Sequence, residues 1–143
     1  MARIKIDLPE RLPFSTQLAV RVQDLNYGNH LSNDRFLAFA HEARLRYLRS
    51  LGYESELQIE GIGLIMGDAA VVFKQQAFFG DVLRIEVGAG DFSRVSFDLF
   101  YRFVHAEKAQ EIGIVKTGMV CFDYDKTQRV ASVPENLKAK LIA

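Results

Sequence analysis

The sequence predicts an α+β fold in which one long helix packs against an antiparallel sheet. Two observations predict it. One uninterrupted amphipathic segment follows the first strand-like segment, and four further strand-like segments then follow one another along the chain. Runs of consecutive strands are typical of antiparallel sheets, and a lone helix is covered by one face of such a sheet. We therefore expect a single domain over residues 1–143, an ordinary length for one domain.

The first strand is expected over residues 14–22, followed by a polar loop over residues 23–31. Leu18, Val20 and Val22 alternate with polar or small residues, which is the period-two pattern of a half-buried strand. The loop contains aspartate, asparagine and glycine, the residues that favour turns.

The long helix is expected over residues 33–51. No glycine or proline interrupts it, Ser32 or Asn33 can cap its start, and Gly52 ends it. Asp34 lies in the first turn, where a negative charge suits the helix dipole. At about 100° per residue, apolar side chains gather on one face, which we expect to pack against the sheet. These side chains are Phe36, Phe39, Ala40, Ala43, Tyr47 and Leu51.

Four more strands and a short final helix are expected after the long helix. Apolar or alternating segments, separated by turns rich in glycine and polar residues, predict the strands. The predicted strands cover residues 63–73, 82–87, 95–104 and 112–124. Pro134 favours the start of a last helix that ends near Ile142.

Composition excludes several classes of protein. Lysine plus arginine and aspartate plus glutamate each total 18, so the net charge is zero and no nucleic-acid partner is expected. No apolar run is long enough for a signal peptide or a membrane span, so a cytoplasmic protein is expected. The single Cys121 has no disulfide partner, and the three histidines lack zinc-site spacing, so no metal is expected.

Residues 22–33 form the segment Val-Gln-Asp-Leu-Asn-Tyr-Gly-Asn-His-Leu-Ser-Asn, and the helix carries His-Glu-Ala-Arg at positions 41–44. This combination resembles the hotdog-fold acyl thioesterases of the 4-hydroxybenzoyl-CoA thioesterase type, whose pattern is roughly D-x-D-x-x-G-H-V-N-N before a helix that often holds E-A-R. The resemblance implies a hotdog fold, a five-stranded antiparallel sheet wrapped around one long central helix. It also implies a homodimer or homotetramer that hydrolyses acyl-CoA at a subunit interface, with no cofactor except the coenzyme A of the substrate.

The sequence departs from this family pattern at one position. Aligned on His30 and Asn33, the first aspartate of the pattern falls on Asp24, and the second, usually the catalytic carboxylate, falls on Asn26. An amide cannot act as a general base, although it can orient a water molecule. Either another carboxylate serves as the base, or the protein binds acyl-CoA without hydrolysing it.

Four side chains are candidates for the chemistry that the resemblance implies. Asp24 would act as the general base or orient His30, unless it only stabilises a turn. Glu42 on the helix is the second candidate base, although an ion pair with Arg46 explains it as well. Asn26 would hold a water molecule or the thioester carbonyl, and His30 would polarise that carbonyl or carry a proton.

Backbone groups and cations complete the expected site. N–H groups near Ser32 and Asn33, at the start of the helix, would bind the thioester oxyanion. Arg94 follows a predicted turn and is the candidate for the phosphates of coenzyme A, since a planar guanidinium suits phosphate. Other basic residues that could serve are Lys74, Arg102 and Lys116.

Two other functions stay open. Asp24, Asn26 and His30 are similar to the D-x-N-P-x-H pattern of (R)-specific enoyl-CoA hydratases, although the spacing is one residue longer and Tyr27 replaces the proline. The missing second aspartate also fits a module that binds acyl-CoA or acyl-carrier protein without catalysis. Crotonyl-CoA separates hydration from hydrolysis, because hydration removes the enoyl absorbance without freeing thiol.

Overall fold

The structure, a computed structural model, describes residues 3–143. Five strands form one antiparallel sheet in the order β1-β3-β4-β5-β2, and a sixth, β6, pairs with β5. In chain order the elements are β1 (Phe14–Ala19), a 3-10 turn (Val22–Asp24), α1 (Asn33–Ser50), β2 (Gly63–Phe73), β3 (Val82–Gly90), β4 (Ser96–His105), β5 (Glu111–Asp123), β6 (Arg129–Val130) and α2 (Glu135–Ile142). The predicted α+β class and antiparallel sheet are confirmed.

The sheet wraps around α1, because aromatic side chains of the helix reach both of its edge strands. Tyr47 stacks on Phe14 of β1 with ring centroids 5.1 Å apart, and Phe36 meets Phe73 of β2 edge-on at the same separation. The predicted apolar face of the helix is confirmed, since five of its six residues are buried and Leu51 is half-buried.

The predicted strand over residues 63–73 matches β2 residue for residue. The predicted strand over residues 14–22 ends early, at Ala19, because Val22–Asp24 turns into a 3-10 helix. The short β6 was not predicted, since two residues are too few to show an alternating pattern.

The ends of several strands meet at one end of the sheet, and the loop that leads to α1 lies there. Ala19 at the end of β1 pairs with Val82 at the start of β3, and Leu83 pairs with His105 at the end of β4. The end of β2 and the start of β5 meet there as well. The loop between β1 and α1 therefore lies over this end, and the turn between β3 and β4 lies at the other.

Cys121 is fully buried in β5, and burial raises the pKa of its thiol to about 11. A thiol that stays protonated is a poor nucleophile, so the role of Cys121 is to pack in the core. No helix within residues 3–143 is long and apolar enough to cross a membrane.

Candidate active site

A cavity of about 480 Å³ opens at the end of the sheet where α1 begins. Its apolar lining residues are Leu31, Phe36, Phe73 and Phe78. Its polar and charged lining residues are His30, Asn33, Lys74, Gln75, Gln76, Asp81, His105, Lys108 and Gln110. The apolar side chains can bind an apolar part of a ligand, and the polar and charged ones can orient its polar groups.

The start of α1 faces this cavity without a side-chain cap. Ser32 occupies the N-cap position, but its hydroxyl donates to the Asp34 carboxylate at 2.5 Å instead of accepting a helix N–H. Within residues 3–143, no acceptor is bonded to the amide of Asn33. This amide carries the partial positive charge of the helix start, so it can bind a negatively charged oxygen.

The amide of Ser32 already has a hydrogen-bond acceptor within the chain. It donates to the backbone carbonyl of Asp24 at 2.9 Å, which ties the start of α1 to the loop. The expectation that Ser32 supplies an N–H to a substrate oxygen is therefore corrected, and of the two expected residues only Asn33 lines the cavity.

His30 lines the cavity and is anchored through its backbone. It forms an isolated β-bridge with Phe78, which joins the loop to the segment before β3. Its ring Nδ1 lies 3.4 Å from the carbonyl oxygen of Leu31. The ring packs on Gly28, where an added Cβ would lie only 3.2 Å from ring Nε2. His30 is thus held beside the start of α1.

Asn26 braces the loop and is absent from the cavity lining. Its side-chain oxygen accepts the N–H of Gly28 at 2.8 Å and lies 3.5 Å from the amide nitrogen of His30. The backbone N–H of Asn26 donates to the backbone carbonyl of His30 at 3.0 Å. Because this oxygen is turned to its own loop, the arrangement favours a role in shaping the loop over one in holding a substrate carbonyl.

Asp24 is fully buried beneath the loop, where two arginines hold its carboxylate. Arg35 lies 2.8 Å from one oxygen, and Arg21 donates its backbone N–H to the other at 2.9 Å. Burial alone would raise the pKa of Asp24, but the hydrogen bonds from Arg21 and Arg35 outweigh burial and lower it. A buried, ion-paired carboxylate is a weak base for water, so these contacts favour a structural role.

Glu42 and Arg94 lie away from the cavity within one chain. Glu42 is nine residues beyond Asn33, about 13 Å along the helix axis, and it lines a separate groove between β1 and α1. There it accepts a hydrogen bond from Arg46 at 2.8 Å. Arg94 lies beyond the far end of β3, about 27 Å from its start, where it donates to Ser132.

Two cavity residues were missed as candidates by the sequence analysis. Neither Asp81 nor His105 is among the site residues that the sequence predicts. His105 Nε2 lies 3.4 Å from an Asp81 oxygen. The two residues are 24 positions apart, and only the pairing of β3 with β4 brings them together. No local spacing pattern would have revealed this contact.

Comparisons with known proteins give the same fold. The model of the thioesterase-like superfamily matches residues 20–141. A 1,4-dihydroxy-2-naphthoyl-CoA thioesterase from Synechocystis superposes with a TM-score of 0.80 at 23% identity, over 90% of this chain and 95% of that chain. The probable thioesterase YbaW from Escherichia coli has a TM-score of 0.76 at 24% identity, over 89% and 95% of the two chains.

A gentisyl-coenzyme A thioesterase is similar as well, with a TM-score of 0.77 at 18% identity over 91% of this chain and all of the other. No curated protein matches the sequence significantly. These likenesses confirm the expected hotdog fold, a sheet wrapped around a central helix.

Proposed function

Because the chain belongs to the thioesterase-like superfamily, we propose that it hydrolyses an acyl-CoA thioester in the cavity at the start of α1. The observation that supports this most is that Asn33, whose amide has no acceptor among the described residues, lines the cavity together with His30. The solved structures with the same fold include enzymes named for aromatic acyl-CoA substrates. Three phenylalanines in the cavity lining suit an aromatic or other apolar acyl group.

Hydrolysis adds water to the thioester carbonyl and breaks the carbon–sulfur bond. Negative charge develops on the carbonyl oxygen before the thiolate leaves. The amide of Asn33 and the positive end of the α1 dipole are suited to stabilise that charge. The His30 ring lines the same cavity and is suited to donate a proton or a hydrogen bond there. A carboxylate accepts the proton of the attacking water.

Neither carboxylate suggested by the sequence faces the cavity within one chain. Asp24 is held by Arg21 and Arg35, and Glu42 lies in the separate groove. The same geometry weighs against the hydratase alternative, which needs Asp24 and His30 to act on one water molecule. We assign Asp24 to holding the loop that carries His30.

We propose that the coenzyme A portion binds along the rim formed by Lys74 and Lys108. Both residues line the cavity, and an ammonium group attracts phosphate. Lys74 follows β2 directly and pairs with Glu111 on β5. These lysines replace Arg94 in this role, because Arg94 lies at the other end of the sheet.

We propose that β2 forms the subunit interface of a homodimer. It is an edge strand of 11 residues with apolar side chains in solvent, among them Ile65 at 38% and Met66 at 46% exposure. A long apolar edge strand pairs readily with another chain. Residues 73–76, which end and follow β2, form one wall of the cavity, so this dimer would place the cavity at the interface.

The test of the function is free-thiol release from short, medium, long and aromatic acyl-CoA substrates. We expect release from at least one of them, with preference for an aromatic acyl group. Absence of release from every substrate would contradict the proposal. Crotonyl-CoA in the same panel identifies a hydratase, because its enoyl absorbance would then fall without thiol release. Binding of the panel without either reaction would identify a binding module.

Ala69→Lys is expected to separate the dimer into monomers and lower thiol release at least about tenfold. Ala69 is exposed on β2, and a lysine on an edge strand opposes pairing by its charge and its bulk. Sedimentation velocity against the chain mass of 16.2 kDa measures the change. Ala139→Lys, on the exposed side of α2, is the matched control and should stay oligomeric. A dimer that survives Ala69→Lys would exclude β2 as the interface.

A further inference from the structure

The cavity has one carboxylate among its lining residues. It belongs to Asp81, at the start of β3. Its side chain is 25% exposed, so the carboxylate reaches the solvent of the cavity while most of its surface is enclosed. His30 and Asn33, the two groups suited to bind a thioester carbonyl, line the same cavity. A candidate base and a candidate oxyanion site are therefore present in one cavity.

Neighbouring groups of the protein contact both oxygens of Asp81. One oxygen accepts the backbone N–H of Phe78 at 2.8 Å, and the other lies 3.4 Å from His105 Nε2. Each carboxylate oxygen has two lone pairs, so each keeps one free for water. A carboxylate held in this way stays in one orientation, which a general base requires.

The tautomer of His105 follows from the hydrogen bonds of its ring. Its Nδ1 accepts the backbone N–H groups of Glu107 at 3.2 Å and Lys108 at 3.1 Å. An imidazole nitrogen that accepts hydrogen bonds carries no proton, so the ring proton lies on Nε2, which faces Asp81. His105 is 6% exposed, so its ring is enclosed by the protein. Its Nε2–H therefore lies beside the carboxylate, with the ring nitrogen 3.4 Å from one oxygen.

We propose that Asp81 is the general base of this site and that His105 positions it, an inference that rests on the proposed thioester hydrolysis. Asp81 takes a proton from water while the water oxygen forms a bond to the thioester carbonyl carbon. The carbon–sulfur bond then breaks, and its electron pair goes to sulfur. The coenzyme A thiolate takes the proton from Asp81, which leaves the free acid, the thiol and the original carboxylate. Asp81 thus supplies the function that Asn26 cannot.

Asp81 also closes a turn, and the test must separate the two roles. Its backbone N–H donates to the carbonyl of Phe78 at 3.0 Å, and Gly80 between them has a φ of +88°. Asp81→Asn keeps a side-chain oxygen for the Phe78 amide but removes the base. A purely structural Asp81 would therefore leave Asp81→Asn active.

The experiment compares thiol release by the wild type, Asp81→Asn and the matched control Asp125→Asn, using the best acyl-CoA of the panel. Asp125 is exposed in the turn after β5, at the other end of the sheet. We expect kcat to fall about 100-fold or more in Asp81→Asn and to stay at the wild-type level in Asp125→Asn. Thermal unfolding of both variants checks that they stay folded. Asp81→Asn that keeps more than a tenth of kcat overturns the inference while leaving the hydrolase function intact.

Chemical rescue separates catalysis from turn formation, because a small carboxylate can replace a lost base but cannot restore a lost turn. In Asp81→Ala, added formate should restore part of kcat, because a small carboxylate can occupy the space of the lost side chain. His105→Gln keeps an N–H donor and should retain more kcat than His105→Leu, with KM similar in both. No rescue by formate would contradict the role of Asp81 as the general base. Equal losses of kcat in the two His105 variants would contradict the role of His105 in positioning Asp81. A wild type that releases no thiol from any acyl-CoA removes the proposed function and this inference together.

Discussion

Asn33→Pro is expected to lower kcat for thiol release by about 100- to 1,000-fold while the protein stays folded, the cost of removing one oxyanion donor. Asn33 is the first residue of α1 and lines the cavity, and its amide has no acceptor in the described chain. Proline is well tolerated at this first position, because its missing N–H has no partner within the helix. Ser32, the preceding residue, already has the extended backbone that proline requires, with φ −71° and ψ 149°.

The matched control for this variant is Asn33→Ala, which removes the same side chain but keeps the amide. Its kcat should fall far less than that of Asn33→Pro. Far-ultraviolet circular dichroism and thermal unfolding check that α1 is intact in both. Equal kcat values in the two variants would show that the amide of Asn33 does not bind the reacting oxygen, and the oxyanion site would then have to lie elsewhere in the cavity.

Glu56→Ala is expected to lower the free energy of unfolding by about 3–5 kcal/mol, because it leaves a buried charge without its partner. Arg44 on α1 is only 7% exposed at its side chain, and it donates to Glu56 at 2.8 Å and to the Tyr101 hydroxyl at 3.1 Å. Tyr101 in turn shares a hydrogen bond with Thr117 at 2.9 Å. This network joins the helix, the segment after it and the strands β4 and β5.

Glu42→Ala is the control for the stability of ion pairs on the same helix. Glu42 and Arg46 also lie 2.8 Å apart, but their side chains are 50% and 41% exposed. Solvent screens such a pair, so its loss should cost only about 0.3–0.5 kcal/mol. Urea unfolding of both variants measures the contrast. Similar losses in the two variants would show that burial adds nothing to the pair at Arg44.

Most of the fold could be predicted because its signals are local. An apolar segment rich in leucine, isoleucine and valine located β2 to the residue, and the spacing of apolar residues on α1 identified the face that packs on the sheet. The errors fall where no such signal exists. Gly88 and Gly90 end β3 without an apolar pattern, so the predicted strand stopped at residue 87. The burial of Arg44 also has no local signal, since charged residues usually lie in solvent.

The candidate site could be located from the sequence, but the sequence did not show which carboxylate lines the cavity. The loop before α1 and the helix start were recognised from residues 22–33, and His30 and Asn33 do line the cavity. Asp24, the nearest carboxylate along the chain, lies beneath the loop in an ion pair. Asp81, which is 51 residues from His30, shares the cavity with it. Proximity along the chain therefore did not identify the carboxylate of the cavity, because the pairing of strands determines which residues lie close together in space.

By itself, then, the sequence determined the elements of this protein, their order, the face of α1 that is buried and the loop that leads to the cavity. These follow from patterns within a few residues, which reflect backbone geometry and the burial of apolar surface. Only the tertiary structure decided which charged groups are buried and which face the cavity. The contacts of Arg44 with Glu56 and of Asp81 with His105 depend on how distant strands and segments pack together, and local sequence patterns carry no record of that packing.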